Sequence, residues 1–246
     1  MEPRQILKDV FGYDSFRGGQ EPLIEAILKG QDALGIMPTG AGKSLCYQVP
    51  ALAREGVTLV ISPLISLMKD QVGALTQSGV RAAYLNSSLT AAQFHRAMEN
   101  ARAGEYRILY VAPERLETEE FLEFARSAEI FMICVDEAHC VSQWGQDFRP
   151  SYLKIPEMIR ALPRRPVVSA FTATATAQVR EDIVRLLELQ DPFVLTTGFD
   201  RPNLYFEVRK PASKPEALRE ILRVRENQSA IIYCATRKTV EEVCEA

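Results

Sequence analysis

No run in the sequence approaches the ~20 consecutive apolar residues of a membrane-spanning helix. The N-terminal MEPRQILKDV is mixed in charge and has no apolar core, which argues against a secretory signal. No two of the five cysteines, at 46, 134, 140, 234 and 244, stand as a Cys-x-x-Cys pair, so no zinc site is expected. Their number is odd, and Cys46 and Cys134 fall in apolar surroundings; reduced, buried thiols of a cytoplasmic protein are the expectation. There is no surplus of positive charge. Lys+Arg is 29 and Asp+Glu is 32, a net of −3, so any nucleic-acid contact needs a local patch rather than bulk charge. No internal repeat of solenoid period is present. With 47% hydrophobic and 25% charged residues in 246, the chain can build a substantial core, and disordered or collagen-like classes are excluded.

Short apolar runs do recur. They are 32–37, 57–62, 81–85, 107–111, 130–135, 167–171 and 193–195. Several are continuously apolar rather than alternating, the pattern of parallel strands buried on both faces. Helix-length segments such as 90–104 and 175–189 separate them. The alternation predicts an α/β fold with a mostly parallel sheet flanked by helices, whose ligands bind at the carboxyl ends of the strands.

Composition shifts near residue 198. FDRPN and RKPASKP are rich in turn residues and charge, which marks a boundary or hinge. Strands are expected at 204–208 and 230–234, with a helix at 216–226 between them. Residues 1–198 therefore read as one whole lobe, and 199–246 as a hinge and the incomplete start of a second.

Residues with chemistry follow the strands. MPTGAGKS (37–44) places Pro38, Thr39, Gly40, Ala41, Gly42, Lys43 and Ser44 in a glycine-rich turn before a helix. Such a turn offers backbone N–H groups to phosphate, with Lys43 reaching the β/γ-phosphates and Ser44 ligating Mg²⁺. Met37 stands where the strict pattern has glycine. VDEAH (135–139) ends a strand with Asp136 positioned for Mg²⁺ and Glu137 for the attacking water; a helix N-cap is the plainer alternative. FTATAT (171–176) supplies hydroxyls at the same sheet edge, or simply strand and cap residues. The loop CVSQWGQDFRPSY (140–152) holds the only Trp with Phe148, Arg149 and Tyr152. Either it stacks on single-stranded bases or it tucks its aromatics into a satellite cluster. FGYDSFRGGQ (11–20) offers the Tyr13 ring, the Arg17 cation and the Gln20 amide, which can pair with adenine's edge or belong to a surface turn.

Taken in order, FxxxxFRxxQ, MPTGAGKSLCYQVPA, PLISLMKDQV and DEAHCVSQWGQDFRPSY resemble the RecQ family of superfamily 2 DNA helicases, in its bacterial form, over essentially the whole chain. The resemblance implies ATP and Mg²⁺ as cofactors, and single-stranded and partial-duplex DNA as partners in repair and recombination. It implies 3′→5′ movement and no membrane. Tyr13, Arg17 and Gln20 would hold adenine. Ser62, Pro63 and Lys69 would contact DNA with Trp144, Phe148 and Arg149. Gln143, Thr172, Ala173 and Thr174 would couple nucleotide state to motion, and His139 would bridge to them. It further implies a partner set that completes the motor: the remainder of a second lobe bearing an arginine finger, and C-terminal domains. Two other readings of the residues stand beside this one: an ATPase that never touches nucleic acid, and a fragment that binds without turnover.

Overall fold

The apolar runs become strands in a computed structural model that describes residues 2–198 and 204–245. They are β1 (Ala33–Ile36), β2 (Val57–Ile61), β3 (Ala82–Leu85), β4 (Ile108–Val111), β5 (Ile130–Val135), β6 (Val167–Thr172) and β7 (Phe193–Thr196). One sheet holds all seven in the order β3-β4-β2-β5-β6-β1-β7, and every neighbouring pair is parallel. Helices cover it: α1 (Pro3–Phe11), α2 (Gln20–Leu28), α3 (Lys43–Ala53), α4 (Ile65–Gln77), α5 (Ala91–Arg102), α6 (Glu119–Ser127), α7 (Ile155–Arg160) and α8 (Ala177–Leu186). Short 3₁₀ turns occupy Pro113–Arg115, Ala138–Val141 and Pro150–Lys154.

Continuous apolarity in the strands follows from the two layers of helix. Alternate residues face opposite sides of a strand. Leu59 and Ile61, with Ile133 and Val135, pack toward Phe121, Phe124, Ile155 and Ile183. Val60, Met132 and Cys134 pack toward Leu23, Tyr47 and Met68. Gly35 in β1 is required by this packing, since a Cβ there would lie 2.7 Å from the Phe171 ring. Ile6, Ile24 and Val49 lock α1 onto α2 and α3. Thr90 and Gln93 form a reciprocal capping box at the start of α5, and the Thr176 hydroxyl caps α8.

The amino-terminal edge of the sheet carries a buried ion pair. Asp32 is 3% exposed, and its carboxylate accepts from Arg165 at 3.1 and 2.6 Å, from the Val168 N–H at 2.8 Å and from the Gln190 N–H at 2.7 Å. The clamp ties the starts of β1 and β6 to the turn after α8.

The carboxyl edge is where the order of the strands matters. β2, β5, β6 and β1 are consecutive neighbours, and each is followed by one of the motif segments. The ladder runs on into those segments: the Asp136 N–H donates to Ile61 O at 2.8 Å and the Met37 N–H to Thr172 O at 3.0 Å.

The chain divides into two compact units, Met1–Phe199 and Asp200–Ala246. In the second, α9 (Lys214–Val224) and α10 (Arg237–Glu245) are the regular elements among the described residues. The strands expected at 204–208 and 230–234 do not form. Tyr205, Phe206, Ile231 and Tyr233 are 81–91% exposed, and no described segment hydrogen-bonds to their backbones. High β-propensity without a partner edge makes no strand. The hinge expected at 199–203 lies outside the described residues.

Candidate nucleotide-binding and catalytic site

At the carboxyl edge, one cleft of about 480 Å³ is lined from three directions. The turn after β1 supplies Thr39, Gly40, Gly42, Lys43 and Ser44; the end of β5 supplies Asp136 and Glu137; the segment before α2 supplies Tyr13, Arg17 and Gln20. Gly40 (φ +85°) and Gly42 (φ +79°) take left-handed conformations that L side chains avoid. Pro38 and Ala41 lie in the same turn. Gly42 immediately precedes α3, so the first N–H groups of that helix open toward the cleft. Lys43 Nζ donates to Met37 O at 3.0 Å, folded across the turn it belongs to.

Gln20 is 1% exposed and is committed to that turn. Its Nε2 donates to Ala41 O (3.2 Å) and Gly42 O (3.0 Å), while its Oε1 accepts from the Arg17 N–H at 2.8 Å. The amide expected to read a base instead braces the glycine-rich turn, and a Cβ at Gly42 would collide with it. Arg17 Nη1 donates to Gly40 O at 3.1 Å. Tyr13 is half exposed at the mouth of the cleft.

Asp136 is buried, and its pKa is pushed up to about 6, first by burial and then by the neighbouring Glu137 charge. A bond from Ser62 Oγ at 3.3 Å and the charge of Lys43 offset this in part. Such a carboxylate lacks a full counter-charge and favours a cation beside it. Ser44 lies on the same cleft wall. Among the described residues no three His, Cys, Asp or Glu side chains cluster to hold a metal. One carboxylate and one hydroxyl suit Mg²⁺, which takes its remaining ligands from phosphate and water.

Glu137 stands at the N-cap position of the Ala138–Val141 turn, but its side chain does not cap it. It sits in the left-handed region (φ 46°, ψ 47°) and makes no capping bond. Its Oε2 lies 3.3 Å from His139 Nδ1, and the same nitrogen lies 2.9 Å from Thr172 Oγ1, which donates to Thr174 O at 3.0 Å. The structure thus joins the DEAH segment to the segment after β6 through His139. Thr172 is buried, Ala173 half-buried and Thr174 exposed. Cys46 and Cys140 are buried, and burial pushes both thiols up to about 12, so neither is a ready nucleophile.

The aromatic loop splits its side chains between the two readings. Trp144 is 76% exposed and Gln143 is exposed, Phe148 is half-buried, and Tyr152 is fully buried, donating to Asp136 O at 2.8 Å. Arg149 pairs with Asp147 at 2.7 Å and donates to Pro63 O at 3.3 Å, so the loop reaches the segment after β2. Of that segment, Ser62 is buried against Asp136, Pro63 is half-buried and Lys69 is exposed on α4. Leu67 on α4 and Ser15 also line the cleft. Both stand inside motif segments without having been singled out, because they enter the cleft through the packing of α4 and the turn before α2.

The "ATP-dependent DNA helicase RecQ" of Bacillus subtilis (strain 168) is 44% identical over 243 residues, 98% of this chain and 41% of that protein. The protein of the same name from Pasteurella multocida (strain Pm70) is 46% identical over 241 residues, 98% of this chain and 38% of its own length. The chain thus spans about two fifths of the length of these relatives. Among solved structures, that of the DUF1998 helicase MrfA matches with a TM-score of 0.73 at 18% identity, over 100% of this chain and 40% of that one, a likeness of fold. The model of the DEAD/DEAH box helicases matches residues 17–183, the span that runs from Arg17 through both cleft walls to α8, and the chain belongs to that family.

Proposed function

We propose that residues 1–198 form the nucleotide-binding lobe of an ATP-driven DNA helicase, moving 3′→5′ and serving repair and recombination in the cytoplasm. One observation carries this reading: the glycine-rich turn and both DEAH carboxylates line a single cleft at the carboxyl ends of β1 and β5, the two strands that flank β6. The backbone N–H groups at the start of α3, with Lys43, bind the β- and γ-phosphates. The Tyr13 ring and Arg17 flank the base, and Gln20 stiffens the turn beneath it. Ser44 and Asp136 would hold Mg²⁺, which when bound neutralises charge on the phosphates. Glu137 accepts a proton from the attacking water, and its contact with His139 links that event to Thr172 and Thr174. DNA is the natural partner of the exposed Trp144 with Phe148 and Arg149, of Lys69, and of Pro63. Gln143 would couple the two sites. Residues 199–246 read as a hinge and the start of a second lobe. The arginine finger that such lobes supply is worth ~10³–10⁵ in rate, so residues 1–246 alone bind nucleotide with little turnover.

The test separates binding from chemistry. Lys43→Ala should lose Mg²⁺-ATP binding, because a charge on the phosphates is removed. Glu137→Gln should bind ATP near normally yet not turn it over in the protein carrying both lobes. Equal losses of affinity in the two variants would refute the division of roles.

A further inference from the structure

A buried carboxylate outside every motif meets the base of the aromatic loop. Asp182, on α8, is 5% exposed. Its Oδ2 accepts from Ser142 Oγ at 2.7 Å, and its Oδ1 accepts from Arg185 Nη2 at 2.6 Å. Ser142 Oγ in turn accepts from the Trp144 N–H at 3.1 Å. The turn is closed further by the Ser142 N–H to His139 O (3.1 Å) and the Gly145 N–H to Ser142 O (3.0 Å). Gly145 packs so tightly on the His139 carbonyl that no Cβ fits.

A hydroxyl has one proton to give. Ser142 gives it to Asp182, and this turns a lone pair toward the Trp144 N–H. Remove the acceptor and the hydroxyl rotates, with no fixed lone pair left for Trp144. Asp182 itself stands on a helix that begins at Thr176, directly after the Thr172–Thr174 segment, six residues or ~9 Å of helix away. The Thr176 hydroxyl fixes the start of that helix by accepting from the Val179 N–H.

We propose that Asp182 is a positioning residue: it fixes the Ser142–Trp144 turn and makes the base of the aromatic loop move as one body with α8 and the Thr172–Thr174 segment. That the loop serves DNA rests on the function proposed above; the mechanical link does not.

Hydrogen exchange on this chain, read at single amides, tests the link. Asp182→Ala and Ser142→Ala should each speed exchange at the Trp144 amide at least tenfold, with β5 amides unchanged. Asp182→Asn keeps an acceptor and should stay near wild type, as should Arg185→Ala, which removes only the ion pair. Unchanged exchange at Trp144 in Asp182→Ala would overturn the proposal. So would an equal rise across β5 and α8, which marks general loss of stability. In the protein carrying both lobes, Asp182→Ala should raise several-fold the DNA concentration giving half-maximal ATPase stimulation, with the DNA-free rate unchanged. An unaltered DNA dependence overturns the proposed consequence. A wild-type enzyme that DNA does not stimulate refutes the DNA reading, while the exchange result still decides the link.

Discussion

Asp136 sets function against stability, and the size of the conflict can be worked out. Its ordinary value of 3.8 rises to about 6 in the fold. At about 1.4 kcal/mol per pH unit, holding this carboxylate ionised costs the folded state about 3 kcal/mol at neutral pH. The sign follows from linkage: a carboxylate with a raised folded pKa binds protons more readily when folded. The penalty is therefore complete above about pH 7, falls to roughly half near pH 5, and vanishes below 3.8. Asp136→Asn removes the charge and keeps an oxygen for the Ser62 hydroxyl. The variant should be more stable than wild type by about 3 kcal/mol at pH 7.5, or about 6–12 °C in Tm for a chain of this size. The gap should narrow to about half at pH 5 and close only below pH 3.8. Thermal unfolding without Mg²⁺ across this range is the assay. Adding Mg²⁺ and ATP should stabilise wild type and leave the variant unmoved. A variant less stable at pH 7.5, or a gap that does not change with pH, would refute the reasoning.

Other expectations follow from the same contacts. Gln20→Ala strips three hydrogen bonds from the glycine-rich turn and its approach, so ATP and GTP should both weaken, by about 1–3 kcal/mol in titration calorimetry; a loss confined to ATP would show that the amide leaves the turn to read adenine. Trp144→Ala should weaken single-stranded DNA by ~1–3 kcal/mol, with Tm unchanged because the ring is exposed; a fall in Tm would point to packing instead. Arg165→Ala leaves Asp32 buried with only backbone donors and should cost about 3 kcal/mol in denaturant unfolding, while nucleotide affinity, set at the opposite edge of the sheet, stays as it was.

Local chemistry was legible in the sequence and distant pairing was not. The inner strands β1, β2, β4, β5 and β6 could be read because a strand buried on both faces is apolar almost throughout, and β3 and β7, partly exposed at the sheet edges, by their β-prone residues; the observed ends differ from the expected ones by a residue or so. The glycine-rich turn and DEAH announce themselves by adjacency. Nothing local shows that Asp182 bonds Ser142 across 40 residues, or that Asp32 clamps Arg165 across 133. Gln20 illustrates the limit differently: its place near the cleft was readable, but which atoms its amide would bond depended on the path of the turn opposite. Within one motif, Thr172 bonds His139 while Thr176 caps a helix, so both meanings of that threonine run are realised. The apolar runs at 204–208 and 230–234 misled because propensity names a preference and pairing decides the outcome.

The sequence has a single tryptophan, and it is the exposed Trp144 at the outer end of the loop that Asp182 braces. Excited at wavelengths beyond tyrosine absorption, this protein therefore emits from one known place. Its fluorescence is a built-in gauge of the aromatic loop, requiring no label. Nucleotide added to the cleft and nucleic acid added to the loop can each be followed by the same optical signal in the unmodified chain.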